Sequence, residues 1–96
     1  MRETDAASIF RALGDANRLR ILSMLADGEK CACKLLEAFS FSQPTLSHHM
    51  KILSACGLVN TRRDGKWSHY SLNAEMLSQV GQFLALLGSG PEGALK

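Results

Sequence analysis

Apolar positions recur at three- and four-residue steps along most of this chain, the spacing of helices that bury one face. Ile9, Phe10 and Leu13 form the stripe of a first helix over Asp5–Leu13, with Asp5 near its start and Gly14 ending it. Asp15 caps a second helix, in which Leu19, Leu22 and Leu25 repeat at three-residue steps flanked by Ile21 and Ala26, and Asp27-Gly28 closes it. A third, short helix is predicted over Ala32–Phe39, with Leu35, Leu36 and Phe39 turned inward. Ser40-Phe41-Ser42 breaks the pattern. Ser42 then caps a fourth helix, running roughly from Gln43 to Cys56, with Pro44 in the first turn where its missing N–H costs nothing. This helix buries Leu46, Met50 and Leu53 and turns Gln43, Ser47, His48, Lys51 and Ser54 outward, with Gly57 at the left-handed position that stops it.

Leu58–Arg63 and Lys66–Leu72 read as short strands joined by Asp64-Gly65, a strong hairpin signal. Pairing across that turn brings Val59 near Tyr70 and Arg62 near Trp67. A last helix, from Ala74 to about Leu87, is apolar on much of its circumference through Met76, Leu77, Val80, Phe83, Leu84, Leu86 and Leu87. The class is mainly α with one β-hairpin: three helices, a tight turn, a fourth helix, a hairpin and a fifth helix, which is the order of a winged helix-turn-helix. Residues 1–88 form one domain, and residues 89–96, opening on Ser89, Gly90 and Pro91, are expected to be a flexible tail. So apolar a terminal helix needs a cover, and in a chain this short the expected cover is the same helix of a second subunit, giving a homodimer through the terminal helices.

Composition narrows the classes. The chain has 96 residues, 46% hydrophobic and 21% charged, enough for a single core. The net charge of +2 says little about nucleic acid, but its placement is uneven: Lys51, Arg62, Arg63 and Lys66 meet only Asp64 between positions 51 and 66. No apolar run approaches the roughly 20 residues that cross a bilayer, and the polar start Met1-Arg2-Glu3-Thr4-Asp5 lacks the apolar stretch of a secretory signal, so a cytoplasmic protein without membrane contact is expected. Three cysteines, an odd number, argue against a disulfide scaffold and raise the question of a soft metal. No spaced Ser/His/Asp or Cys/His set and no glycine-rich phosphate loop is present, so neither an enzyme nor an organic cofactor is expected.

The fourth helix combines an apolar face that locks it to a scaffold with short polar or cationic side chains on the other, which is what a helix in the DNA major groove requires. Gln43 and His48 suit base edges, Ser47 permits close approach, and Ser42, Thr45 and Lys51 suit phosphate at a helix start that itself favours anions. Arg62, Arg63 and Lys66 on the hairpin add backbone or minor-groove contacts. His48 and His49, about 100° apart around a helix, chelate a metal poorly. One faces the groove and the other the scaffold.

Taken together, Leu13-Gly14-Asp15 with Asn17-Arg18-Leu19-Arg20-Ile21-Leu22, then Ser42-Gln43-Pro44 with Leu46-Ser47-His48-His49, and Arg63-Asp64-Gly65-Lys66-Trp67-Ser68-His69-Tyr70 resemble the ArsR/SmtB family of metal-responsive repressors, from Phe10 to about Leu72. The resemblance implies a dimer on double-stranded operator DNA that leaves when a toxic ion binds. Lys30-Cys31-Ala32-Cys33-Lys34 is similar to the Cys-x-Cys site of the arsenite-responsive branch. The chemistry fits independently: As(III) and Sb(III) are thiophilic, and two thiolates one residue apart can clamp one ion. Lys30, Lys34 and a helix start are expected to favour the thiolate form. Several such sensors carry a third cysteine where this chain has Leu36. Cys56 is the remaining candidate ligand, although its spacing from Leu53 and Met50 reads as a core thiol beneath the hairpin. A solvent or cellular thiol is the alternative.

The last helix has no His, against a zinc-type site, and no cysteine precedes Cys31, which weakens cadmium or lead. Between arsenic, antimony and bismuth the residues do not choose. Two other readings stand beside this one: a repressor of the same fold sensing redox state or persulfide through the same thiols, and a protein-interaction module that does not bind DNA.

Overall fold

A computed structural model describes residues 1–89; the tail expected at 89–96 lies, from 90 onward, outside the described residues. Helix α1 spans Glu3–Leu13, starting two residues before the predicted Asp5 because Glu3 and Asp5 both suit the first turn, with Arg11 in the last. Its buried stripe is Ala6, Ile9 and Ala12, so Phe10 and Leu13 sit at the margin of the core rather than at its centre. Helix α2 spans Ala16–Met24, and the Asp15 carboxylate accepts the Arg18 backbone N–H at 3.1 Å as its cap. Here the expected stripe is wrong at one position. Leu19 is 49% exposed while Ile21 is fully buried beside Leu22 and Leu25, because residues two apart lie about 200° apart on a helix and cannot share a face. Leu25–Asp27 tighten into a short 3-10 turn before Gly28.

Lys30–Cys31 form a strand, β1, that the sequence reading missed, followed directly by α3 over Ala32–Glu37. Helix α4 spans Gln43–Ala55, opened as expected by the Ser42 hydroxyl, which accepts the Thr45 N–H at 3.4 Å. Strands β2 (Val59–Asp64) and β3 (Trp67–Leu72) make the hairpin, and α5 runs Ala74–Gly88, capped by Asn73. All three strands are antiparallel, in the order β1-β3-β2.

The hairpin register differs by two residues from the expected one: Val59 pairs Leu72, Thr61 pairs Tyr70, Arg62 pairs His69 and Asp64 pairs Trp67. The loop is Gly65-Lys66, not Asp64-Gly65, because the first loop position needs the left-handed backbone that Gly65 adopts at φ +66°. A shift of two leaves every side chain on its predicted face. Ile21, Leu25, Leu35, Leu46, Met50, Leu53 and Leu58 are the fully buried centre, so one core holds α2, α3, α4 and the base of the hairpin.

Two features fix how α4 sits on this core. At its C-terminal end Gly57 takes φ +85°, and a Cβ there would lie 3.0 Å from the Met76 Cε on α5. In its middle His49, 7% exposed, meets Arg18. The Arg18 Nε donates to the Ala12 carbonyl at 2.6 Å and Nη2 to the Arg11 carbonyl at 3.4 Å, while Nη1 lies 3.2 Å from His49 Nδ1. The guanidinium thus closes the end of α1 and holds α4. Since a guanidinium only donates, His49 accepts at Nδ1 in its neutral form. The turn before α4 adds an aromatic row: Arg20 stands 5.1 Å over Phe39, which stacks on Phe41 at 4.5 Å, which in turn meets the His49 ring at 5.4 Å.

Gly57→Ala should cost about 1–2 kcal/mol, from left-handed strain in a residue with a Cβ, seen as a lower urea midpoint at unchanged slope. Burial holds His49 below the usual histidine value against the opposing pull of the Asp15 carboxylate, with the Arg18 and His48 charges adding smaller contributions to the lowering. A group whose pKa is lower folded than unfolded keeps its contribution above the unfolded value and loses it as pH falls. Stability should therefore drop as pH falls below about 6.5, and His49→Gln, which keeps an acceptor but does not titrate, should flatten that slope in melts between pH 7.5 and 5.5.

Candidate nucleic-acid interface and thiol site

With Leu46, His49, Met50 and Leu53 buried, α4 leaves Gln43, Ser47, His48 and Lys51 exposed, on an arc of about 140° at 100° per residue. His48 faces outward and His49 inward, the division predicted from their spacing. Ser42 and Thr45 stand at the start of this face with their hydroxyls 3.2 Å apart. One donates to the other, which leaves one hydroxyl proton for an outside acceptor. Ser54, expected on the exposed face, is instead half-buried, its hydroxyl 3.1 Å from that of Thr61 on β2. The far end of α4 is thereby tied to the hairpin.

The hairpin cations are not equivalent. Arg63 and Lys66 are exposed and meet no carboxylate within 4 Å among the described residues. Arg62 is occupied. Its Nη2 and Nε donate to the two carboxylate oxygens of Glu29 at 2.8 and 3.1 Å, with Asp64 at 3.9 Å. This pairing holds the Glu29 carboxyl below, and the Arg62 guanidinium above, their usual ranges. Glu29 was not among the residues singled out from the sequence: a carboxylate 33 positions from its partner leaves no local signal, and the two-residue strand that brings it to the sheet is too short for a periodic pattern.

Cys31 ends β1 and caps α3, its Sγ accepting the Cys33 backbone N–H at 3.3 Å. The neighbouring Cys33 thiol, with the Cys33 and Lys34 N–H groups, lowers the Cys31 pKa, while the proximity of Cys31 pushes that of Cys33 up. The two thiols are therefore unequal, Cys31 being the more acidic. The flanking lysines do not produce this, contrary to the expectation: Lys30 is paired with Asp27 and Lys34 with Glu37. The backbone and the second thiol do.

Cys56, half-buried at the end of α4 and packed against the core, donates to the Leu53 carbonyl at 3.5 Å and faces a cleft of about 290 Å³ shared with Asp5, Ser8 and Ile9 of α1 and Met76 and Gln79 of α5. The chain reverses at Gly57, which leaves this thiol on the α1 side. Among the described residues no three His, Cys, Asp or Glu side chains come together as a metal site.

No helix among the described residues is long and apolar enough to cross a membrane. Residues 15–61 match the family described as bacterial regulatory protein, arsR family. The chain is 46% identical over 93 residues to the arsenical resistance operon repressor of Staphylococcus xylosus, covering 97% of this chain and 89% of that one. An ArsR-like transcriptional regulator from Rhodococcus superposes with a TM-score of 0.79 at 29% identity, over 90% of this chain and 81% of the other. The homodimeric winged helix-turn-helix DNA-binding domain of a possible ArsR-family regulator from Mycobacterium bovis does so at 0.72 and 27%, over 90% and 80%. Elements, register and relatives agree: the chain is a winged helix-turn-helix transcriptional repressor of the ArsR family and not an enzyme.

Proposed function

We propose that the protein is a homodimeric, cytoplasmic repressor that holds operator DNA through α4 and the hairpin wing, and lets go when As(III) or Sb(III) is taken by Cys31 and Cys33. The observation that carries this reading is the thiol pair at the joint between β1 and α3, where the Cys31 sulfur caps the helix and its neighbours lower its pKa. The S. xylosus relative, named as a repressor of an arsenical resistance operon, supports the choice of ion. Two soft sulfurs one residue apart fit a thiophilic trivalent ion, each thiol proton leaving with a hydroxide of arsenous acid as water, and an external thiol completes the set in place of Cys56. To engage, Cys31 gives up its bond to the Cys33 N–H, which uncaps the helix preceding α4.

On the DNA side, Gln43, Ser47 and His48 face the bases, and Ser42, Thr45, Lys51, Arg63 and Lys66 face phosphate. Arg62 is left out of that set because Glu29 occupies it. The dimer is supported by α5, whose Leu84, Leu86 and Leu87 are 51%, 73% and 67% exposed in the single chain, a patch that a second copy would cover, and by the homodimeric M. bovis relative.

In gel-shift titrations, Lys51→Ala and Lys66→Ala should each weaken binding to all sequences and reduce the log–log salt slope by about one. Arsenite should release the wild-type complex near one equivalent per chain, and Cys31→Ser should keep DNA binding but lose release. Release by peroxide without release by arsenite would sink the metalloid reading in favour of a redox sensor. Leu87→Asp should shift the sedimenting species from twice to once the 10.5 kDa chain mass. An unchanged mass would move the interface elsewhere.

A further inference from the structure

The thiol pair is built into the wing sheet as well as into the helix before α4. Cys31 pairs with His69 in β3, and His69 pairs on its other side with Arg62 in β2, so the three residues form one row across the sheet. Residues directly opposite in antiparallel strands point to the same face, as does Glu29, two positions before Cys31. On that face the Glu29 carboxylate passes over the middle strand and holds Arg62 through two charge-assisted hydrogen bonds of 2.8 and 3.1 Å. One edge of the sheet is thereby strapped to the other, directly beside the sensing cysteine.

We propose that Glu29 and Arg62 are positioning residues that make the wing respond to occupation of Cys31 and Cys33. The inference rests on the function proposed above. Cys31 cannot leave its capping position without disturbing its place opposite His69, since β1 is only two residues long and Cys31 is one of them. The β1–β3 hydrogen bonds pass that displacement to the middle strand. The Glu29–Arg62 strap passes it to β2, whose continuation Arg63–Asp64 leads to the loop carrying Lys66. Forked geometry fixes direction as well as distance, so the outer strand follows β1 as a unit. The pair is partly exposed, its side chains 55% and 38% accessible, and pairs in such settings contribute little to stability. Its removal therefore changes how the wing moves more than whether the chain folds. Release then acts on both DNA-facing elements at once: α4 through the uncapped α3, and the wing through the sheet.

The chain has a single tryptophan, Trp67, at the hairpin end of β3 opposite Asp64 and 40% exposed, so its emission reports on the wing alone. Without DNA, arsenite should change Trp67 emission in the wild type in step with the loss of two reactive thiols per chain. In Glu29→Gln the same thiols should be consumed while most of the emission change disappears. The factor by which arsenite weakens operator binding should fall by about five- to tenfold, within the range of known couplings. Exchanging the charges, Glu29→Arg with Arg62→Glu, should restore the emission response, which a purely structural role would not require. If the thiols are consumed and Trp67 stays silent, or Glu29→Gln responds as the wild type does, the wing coupling is wrong and the proposed function survives. If arsenite consumes no thiols, both fail together.

Discussion

Arg18 reaches three helices at once, and the placement of α4 depends on it. Its guanidinium closes the carbonyl end of α1, its backbone N–H is capped by Asp15 at the start of α2, and its outer nitrogen holds His49 from α4. A helix seated only by Leu46, Met50 and Leu53 could slide or turn on an apolar surface, since dispersion and hydrophobic burial are not directional. A hydrogen bond from a fixed donor to a buried ring nitrogen is directional. It sets which side of α4 points outward, and so which side chains form the exposed arc. The aromatic row from Phe39 through Phe41 to His49 sets the entry angle of the same helix.

The cysteine pair adjoins two elements: the short helix α3, which precedes α4, and the strand β1, which pairs with β3 of the hairpin. The Ser54–Thr61 contact joins α4 to the hairpin at the far end of the helix. Cys31 belongs to a strand and caps a helix in the same residue, so a change in what its sulfur binds acts on two kinds of hydrogen-bond ladder, one perpendicular to the chain and one along it.

Most of the fold was legible because its signals are local. Asp15, Ser42 and Gly57 did as caps and stops what their side chains or lack of one dictate, and the period of Leu46, Met50 and Leu53 sufficed to orient α4. What escaped was set by distant partners. Leu19 has the right spacing for a core residue, but Ile21, about 200° away around α2, takes the inward position instead. The hairpin register followed the backbone need of Gly65 rather than the Asp-Gly pair as a unit. A strand of two residues has no period to detect, and β1 exists only because β3 lies alongside it. The outward side of Gln43, Ser47, His48 and Lys51 on α4 was thus legible from sequence, while Ser54 and the strap from Glu29 to Arg62 needed the fold. The lysines beside the cysteines look like their activators until their own carboxylate partners are seen.

A sheet of three strands has two open edges, and each open edge invites another chain to add a strand. Here one edge is β1, whose two residues offer almost no length for pairing. The other is β2, where Arg62, Arg63 and Asp64 follow one another along the exposed rim. Charges in that position repel or misplace an incoming strand, and the strap from Glu29 lies over the face next to it. The charged rim of β2 therefore also protects against self-association: Arg62, Arg63 and Asp64 keep its unpaired backbone from templating aggregation between copies of the chain.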